Sequence, residues 1–110
     1  MEKEDVITAL AALAQESRLE IFRLLVQAGP AGLPAGQIAE RLGLPANTLS
    51  FHVAQLKHAG LVSVKRESRS LIYSAAFSTM NALLGFLTEN CCQGDACCAP
   101  EICQPLGAES

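Results

Sequence analysis

The glycine and proline breaks at Gly29-Pro30-Ala31-Gly32 and Gly43-Leu44-Pro45 constrain this chain most. Both residue types resist helix continuation, and the apolar residues on either side recur at helical spacing. Val6, Leu10 and Leu13 predict a short first helix. A second is predicted to start at Ser17 as N-cap, with Glu20 as its capping-box partner and Leu19, Phe22, Leu25 and Val26 as its apolar stripe. Between the breaks, Pro34 fits the first turn of a third helix that bears Ile38 and Leu42 and stops at Gly43. Pro45 opens a fourth, with Leu49, Val53 and Leu56 on one side and Gly60 as its C-cap. A helix, a tight turn and a second helix form the helix-turn-helix plan.

Leu61 to Lys65 and Leu71 to Ala75 read as short strands around the polar Arg66-Glu67-Ser68-Arg69-Ser70, which predicts a hairpin, or wing. A last helix from about Ser78 carries Met80, Leu83, Leu84 and Leu87 at i, i+3, i+4 and i+7. The predicted fold is mainly α, a winged helix-turn-helix with a short β-hairpin wing. No internal repeat or interdomain linker interrupts it. Two apolar faces, one of Val6, Leu10 and Leu13 and one of Met80, Leu83, Leu84 and Leu87, exceed what so small a body buries alone. The first and last helices are therefore expected to pair with those of a second copy.

Charge is divided along the chain. Residues 41 to 69 carry Arg41, Lys57, Lys65, Arg66 and Arg69 against Glu67 alone, a surplus of four positive charges. The remainder holds three cations and ten acids, giving −3 in all. An acidic protein with one basic segment fits a module that presents a single face to phosphates. Nothing approaches the roughly 18 consecutive apolar residues of a membrane span, and the opening Met1-Glu2-Lys3-Glu4-Asp5 lacks a signal peptide's basic start. No membrane partner is expected, and the location expected is cytoplasmic, where thiols stay reduced.

Five cysteines, Cys91, Cys92, Cys97, Cys98 and Cys103, fall within thirteen positions, and the preceding ninety residues have none. The last cation in the chain is Arg69, so no basic neighbour stabilises a nucleophilic thiolate. Such a cluster suits a soft, thiophilic ion better than covalent catalysis. Three thiols match arsenite: each As–OH exchanges for As–S with loss of water, and the pyramidal product is neutral. Four thiolates on zinc would leave two negative charges beside Glu89, Asp95 and Glu101. The C-x4-C spacings of Cys92 with Cys97 and of Cys98 with Cys103 keep zinc, cadmium and lead open.

Several stretches carry a family resemblance. Ser17-Arg18-Leu19-Glu20-Ile21-Phe22-Arg23-Leu24-Leu25, Asn47-Thr48-Leu49-Ser50-Phe51-His52-Val53-Ala54-Gln55-Leu56, Ala59-Gly60-Leu61-Val62 and Arg69-Ser70-Leu71-Ile72-Tyr73 resemble the signature stretches of the ArsR/SmtB family of metal-responsive repressors over roughly residues 5 to 90. The resemblance implies a homodimeric repressor that binds double-stranded operator DNA and leaves it when inducer binds. Residues 1–90 would be the DNA-binding and dimerisation domain, and 91–110 an inducer-binding tail. The third helix lacks the Cys-Val-Cys motif of some arsenic sensors, and Ser78-Thr79-Met80-Asn81 lacks the Asp-x-His of zinc sensors. What remains resembles arsenic repressors with an adjacent cysteine pair and a third cysteine after five residues. That spacing implies Cys91, Cys92 and Cys98 as ligands for As(III), or Sb(III), with Cys97 and Cys103 as possible additions and no organic cofactor.

With Leu49, Val53 and Leu56 turned inward, Asn47, Thr48, Ser50, Phe51, His52 and Gln55 are expected to line the outward side of the fourth helix. Asn and Gln can contact adenine, His and Ser can donate or accept, and an exposed Phe can meet a thymine methyl. Lys57, Lys65, Arg66 and Arg69 suit phosphates or the minor groove beside the wing. The competing assignment makes Asn47 and Thr48 helix caps and packs His52 beneath the hairpin. An enzyme is not expected, because no Arg follows a cysteine and no C-x-x-C pair occurs. A redox switch closed by a Cys92–Cys98 disulfide remains an alternative sensor.

Overall fold

A computed structural model describes residues 1–91. Five helices, α1 (Lys3–Leu13), α2 (Glu16–Ala28), α3 (Ala35–Leu42), α4 (Ala46–His58) and α5 (Phe77–Leu87), surround a sheet of β1 (Leu33–Pro34), β2 (Val62–Glu67) and β3 (Ser70–Ala75). The sheet order is β1-β3-β2, antiparallel throughout. This is the expected winged helix-turn-helix with one addition. The two-residue β1, too short to leave a periodic signal, pairs Leu33 with Tyr73 and Pro34 with Ile72. A proline is tolerated there because β1 is an edge strand. Gly32 leads into it at φ 74, where an added Cβ would run into the Tyr73 carbonyl. Only glycine meets both the positive φ and the close approach.

Each helix of the helix-turn-helix is closed at its C-terminal end by a glycine-centred cap. Gly43 (φ 67) gives its amide to the Glu40 carbonyl while Leu44 gives its own to Ala39. Gly60 (φ 79) and Leu61 repeat the pattern on Lys57 and Leu56. Each pair satisfies carbonyls that the helix end leaves without partners. Gly60 therefore follows the C-cap, Ala59, by one residue.

The core is one cluster in which Ile21, Leu25, Ile38, Leu56 and Leu61 are fully buried. Leu49, Val53 and Leu56 all face it, as their spacing requires. Four further expectations need correction. The N-cap of α2 is Gln15, whose Oε1 accepts the Arg18 amide at 2.9 Å, so Ser17 lies inside the first turn. The longer Gln side chain reaches the amide three residues on and takes the part expected of Ser. In α1 the buried residues are Val6, Ala9 and Ala12, while Leu10 is exposed, because small side chains allow α1 to pack closely. Leu19 is likewise exposed, and Ile21 takes its place in the α2 core stripe. The wing is also longer than expected, since pairing runs out to Glu67 with Ser70 and leaves only Ser68 and Arg69 in the turn.

Candidate nucleic-acid interface and thiol segment

Helix α4 separates its residues by angle. Opposite its buried stripe lie Asn47, Phe51, Ala54 and His58, all exposed. Phe51 is 58% exposed. Ser50 and Lys57 lie on the flank toward the wing, where they line a crevice with Val64, Leu71 and Tyr73. Gln55 lies on the other flank, lining a crevice against α1 with Ile7, Thr8, Ala11 and Arg18. Thr48 is half-buried. The Asn47 side-chain oxygen accepts the Thr48 amide at 2.9 Å inside the first turn, but the N-cap of α4 is Pro45, so neither Asn47 nor Thr48 caps the helix, and the Asn47 amide nitrogen keeps its own donors.

His52 takes neither of the expected places in full. It is half-buried, and it faces α2 rather than the hairpin: its Nδ1 lies 3.4 Å from Arg18 Nη1. The Phe51 ring stands against it with centroids 5.5 Å apart and planes at 62°. Arg18 also donates from Nε to the Ala12 carbonyl at 2.7 Å. Nothing in the sequence marks Arg18 as a neighbour of His52, because the contact spans 34 residues.

The wing divides its cations by strand alternation. Val62, Val64 and Arg66 share one face of β2, across from Ala75, Tyr73 and Leu71, and that is the face on which the α4 crevice opens. Lys65 falls on the other face, where its Nζ pairs with Glu67 at 3.1 Å, both ends well exposed. Such a pair contributes at most about 1 kcal/mol, and it partly cancels the charge Lys65 offers to a phosphate. Arg69 stands in the turn, beside Pro34, Ala35 and Gly36 at the start of α3. Of the basic residues of the central segment, Lys57 thus lies on α4, Arg66 on the inner face of the wing and Arg69 at its tip, while Lys65 lies on the other face and Arg41 in the last turn of α3.

Helix α5 stops at Leu87 and the chain turns through 88–90, with Asn90 left-handed at φ 57. Cys91 follows, half-buried, its amide donating to the Thr88 carbonyl at 2.9 Å. Cys92, Cys97, Cys98 and Cys103 lie outside the described residues. Among the described residues no three His, Cys, Asp or Glu side chains are grouped to hold a metal ion, and no helix is long and apolar enough to cross a membrane. Helices α1 and α5 carry outward apolar side chains. Ile7 (58%), Leu10 (41%), Leu84 (39%) and Leu87 (54%) are exposed, and an apolar groove of about 450 Å³ runs between α2 and α5.

Residues 13–65 match the family model of a helix-turn-helix domain. The transcriptional activator HlyU of Vibrio cholerae is 31% identical over 97 residues, spanning 86% of this chain and 87% of that protein. Its solved structure superposes with a TM-score of 0.66 at 32% identity, covering 84% of this chain and all of the other. An ArsR-like transcriptional regulator from Rhodococcus sp. RHA1 gives a TM-score of 0.71 at 27% identity over 84% of each chain. The homodimeric winged helix-turn-helix DNA-binding domain Mb0332 of Mycobacterium bovis, a possible ArsR-family regulator, gives 0.63 at 26% identity, over 87% of this chain and 89% of that one.

Proposed function

Because the chain belongs to the ArsR family of winged helix-turn-helix transcriptional regulators, we propose that it is a cytoplasmic, homodimeric repressor that releases its operator when As(III) is captured by Cys91, Cys92 and Cys98. The family makes it a DNA-binding regulator and not an enzyme. The arsenite assignment is carried by one observation: every thiol in the chain lies beyond the end of α5, and the ninety residues before them are free of cysteine.

Three thiols displacing three hydroxyls from arsenous acid release three waters and leave a neutral As(SR)3 centre, which suits a segment without cations. Sb(III) would bind by the same exchange. Drawing Cys91 toward ligands further along the tail pulls on the turn at residues 88–90 and so on the end of α5. Outward Leu84 and Leu87 make that helix, with Ile7 and Leu10 of α1, the natural partner surface for a second copy. A two-fold dimer would place two α4 helices in successive major grooves about 34 Å apart on an inverted repeat. Altering the dimer interface changes that spacing, and a coupling of about 1 to 3 kcal/mol is enough to release the operator.

The test is operator release against arsenite, in excess reductant, for the five single Cys→Ser variants. Ser at 91, 92 or 98 should preserve repression and abolish release, because oxygen is a poor ligand for a soft centre. Ser at 97 or 103 should leave release intact. Normal release from Cys98→Ser with loss in Cys97→Ser would reassign the third ligand. Normal release from both Cys91→Ser and Cys92→Ser would remove the site. Release by peroxide alone, with none by arsenite, would favour the disulfide switch.

A further inference from the structure

Arg18 ties three helices together. Its Nε donates to the Ala12 carbonyl at 2.7 Å, near the C-terminal end of α1, where acceptors lack helical partners and the helix dipole favours a cation. With Nε fixed there, Nη1 lies 3.4 Å from His52 Nδ1 on α4. A guanidinium has only donors and does not lose its proton, so Arg18 must donate and Nδ1 must accept. The neutral imidazole proton then resides on Nε2, on the side of the ring away from Arg18. In that state Nε2 of His52 is a donor and cannot be an acceptor. Among major-groove edges it fits purine N7, guanine O6 or thymine O4, and it opposes the amino groups of adenine and cytosine.

Building on the DNA-binding role of α4, we infer that Arg18, on α2 and outside the DNA-facing elements, is a positioning residue for sequence readout. It holds His52 as the Nε2–H tautomer, so that His52 selects a base-edge acceptor.

The experiment measures equilibrium binding of the full-length protein to its operator with each base pair replaced in turn, for wild type, Arg18→Met, His52→Ala and the double variant. Arg18→Met should lose about tenfold discrimination at one base-pair position per half-site. His52→Ala should lose it at the same position, and the double variant should lose no more than either single one, as expected of residues acting as a unit. An Arg18 that only braced the fold would weaken every sequence alike. Unchanged discrimination in Arg18→Met would overturn the inference. Should Arg18→Met fail to fold, nitrogen-15 NMR of the wild type decides it: a His52 proton on Nε2 supports the inference and a proton on Nδ1 overturns it. Absence of any base preference in the wild type would instead defeat DNA reading by α4, a result distinct from the other two.

Discussion

Helix α4 buries every leucine and valine of its stripe, whereas α1 turns Ile7 and Leu10 toward solvent and buries Val6, Ala9 and Ala12. Helix α5 follows α1: Leu83 is buried, and Leu84 and Leu87 are exposed. The position of α4 is settled within one protomer, by packing against α2, α3 and the wing. The exposed apolar side chains of α1 and α5 form the surface proposed above for a second copy. On that proposal, apolar side chains serve folding in one region and assembly in the other.

Substitutions in the two regions should separate these roles. The largest effect is expected from Leu56→Ala, at a fully buried position: a loss of roughly 2–5 kcal/mol. Denaturant unfolding should show it at every protein concentration. Leu10→Asp with Leu84→Asp should cost on the order of 2 to 4 kcal/mol of association and leave the helical content of the protomer in place. Sedimentation should then find a monomer, and the unfolding midpoint should no longer rise with concentration. A dimer that survives this double change would place the interface elsewhere.

A smaller effect separates the two faces of the wing. Arg66→Ala with Arg69→Ala should weaken all DNA sequences alike and lower the salt slope by up to about 0.9 for each phosphate that is no longer neutralised. Lys65→Ala should change the slope less, because Lys65 lies on the other face and is already paired with Glu67. Equal effects from the two would erase the distinction that strand alternation draws.

The helix-turn-helix and wing were legible because their signals are local. Gly43 and Gly60 mark the helix ends, and the α4 stripe has one period and one buried side. The basic segment was legible for the same reason, as a run of charge. What escaped the sequence depends on contacts between distant residues. Strand β1 exists only because Leu33 and Pro34 reach β3, and Gly32 is required only because the Tyr73 carbonyl lies against it. Alanines 9 and 12 look less apolar than Leu10, yet close helix packing selects them. The tie between Arg18 and His52 joins α2 to α4 and leaves no pattern in either segment. For the thiols, sequence spacing carries the ligand assignment, and of the five only Cys91 lies among the described residues.

Separating the DNA face from the thiol segment has a thermodynamic consequence: if the two are coupled, each ligand must weaken the other by the same factor. The most direct measurement is isothermal titration of arsenite into the reduced protein, free and saturated with operator. The arsenite dissociation constant should be larger in the operator complex by roughly 5- to 150-fold, equal to the factor by which arsenite weakens operator binding. The same arsenite affinity with and without DNA would contradict coupling between Cys91, Cys92, Cys98 and helix α4.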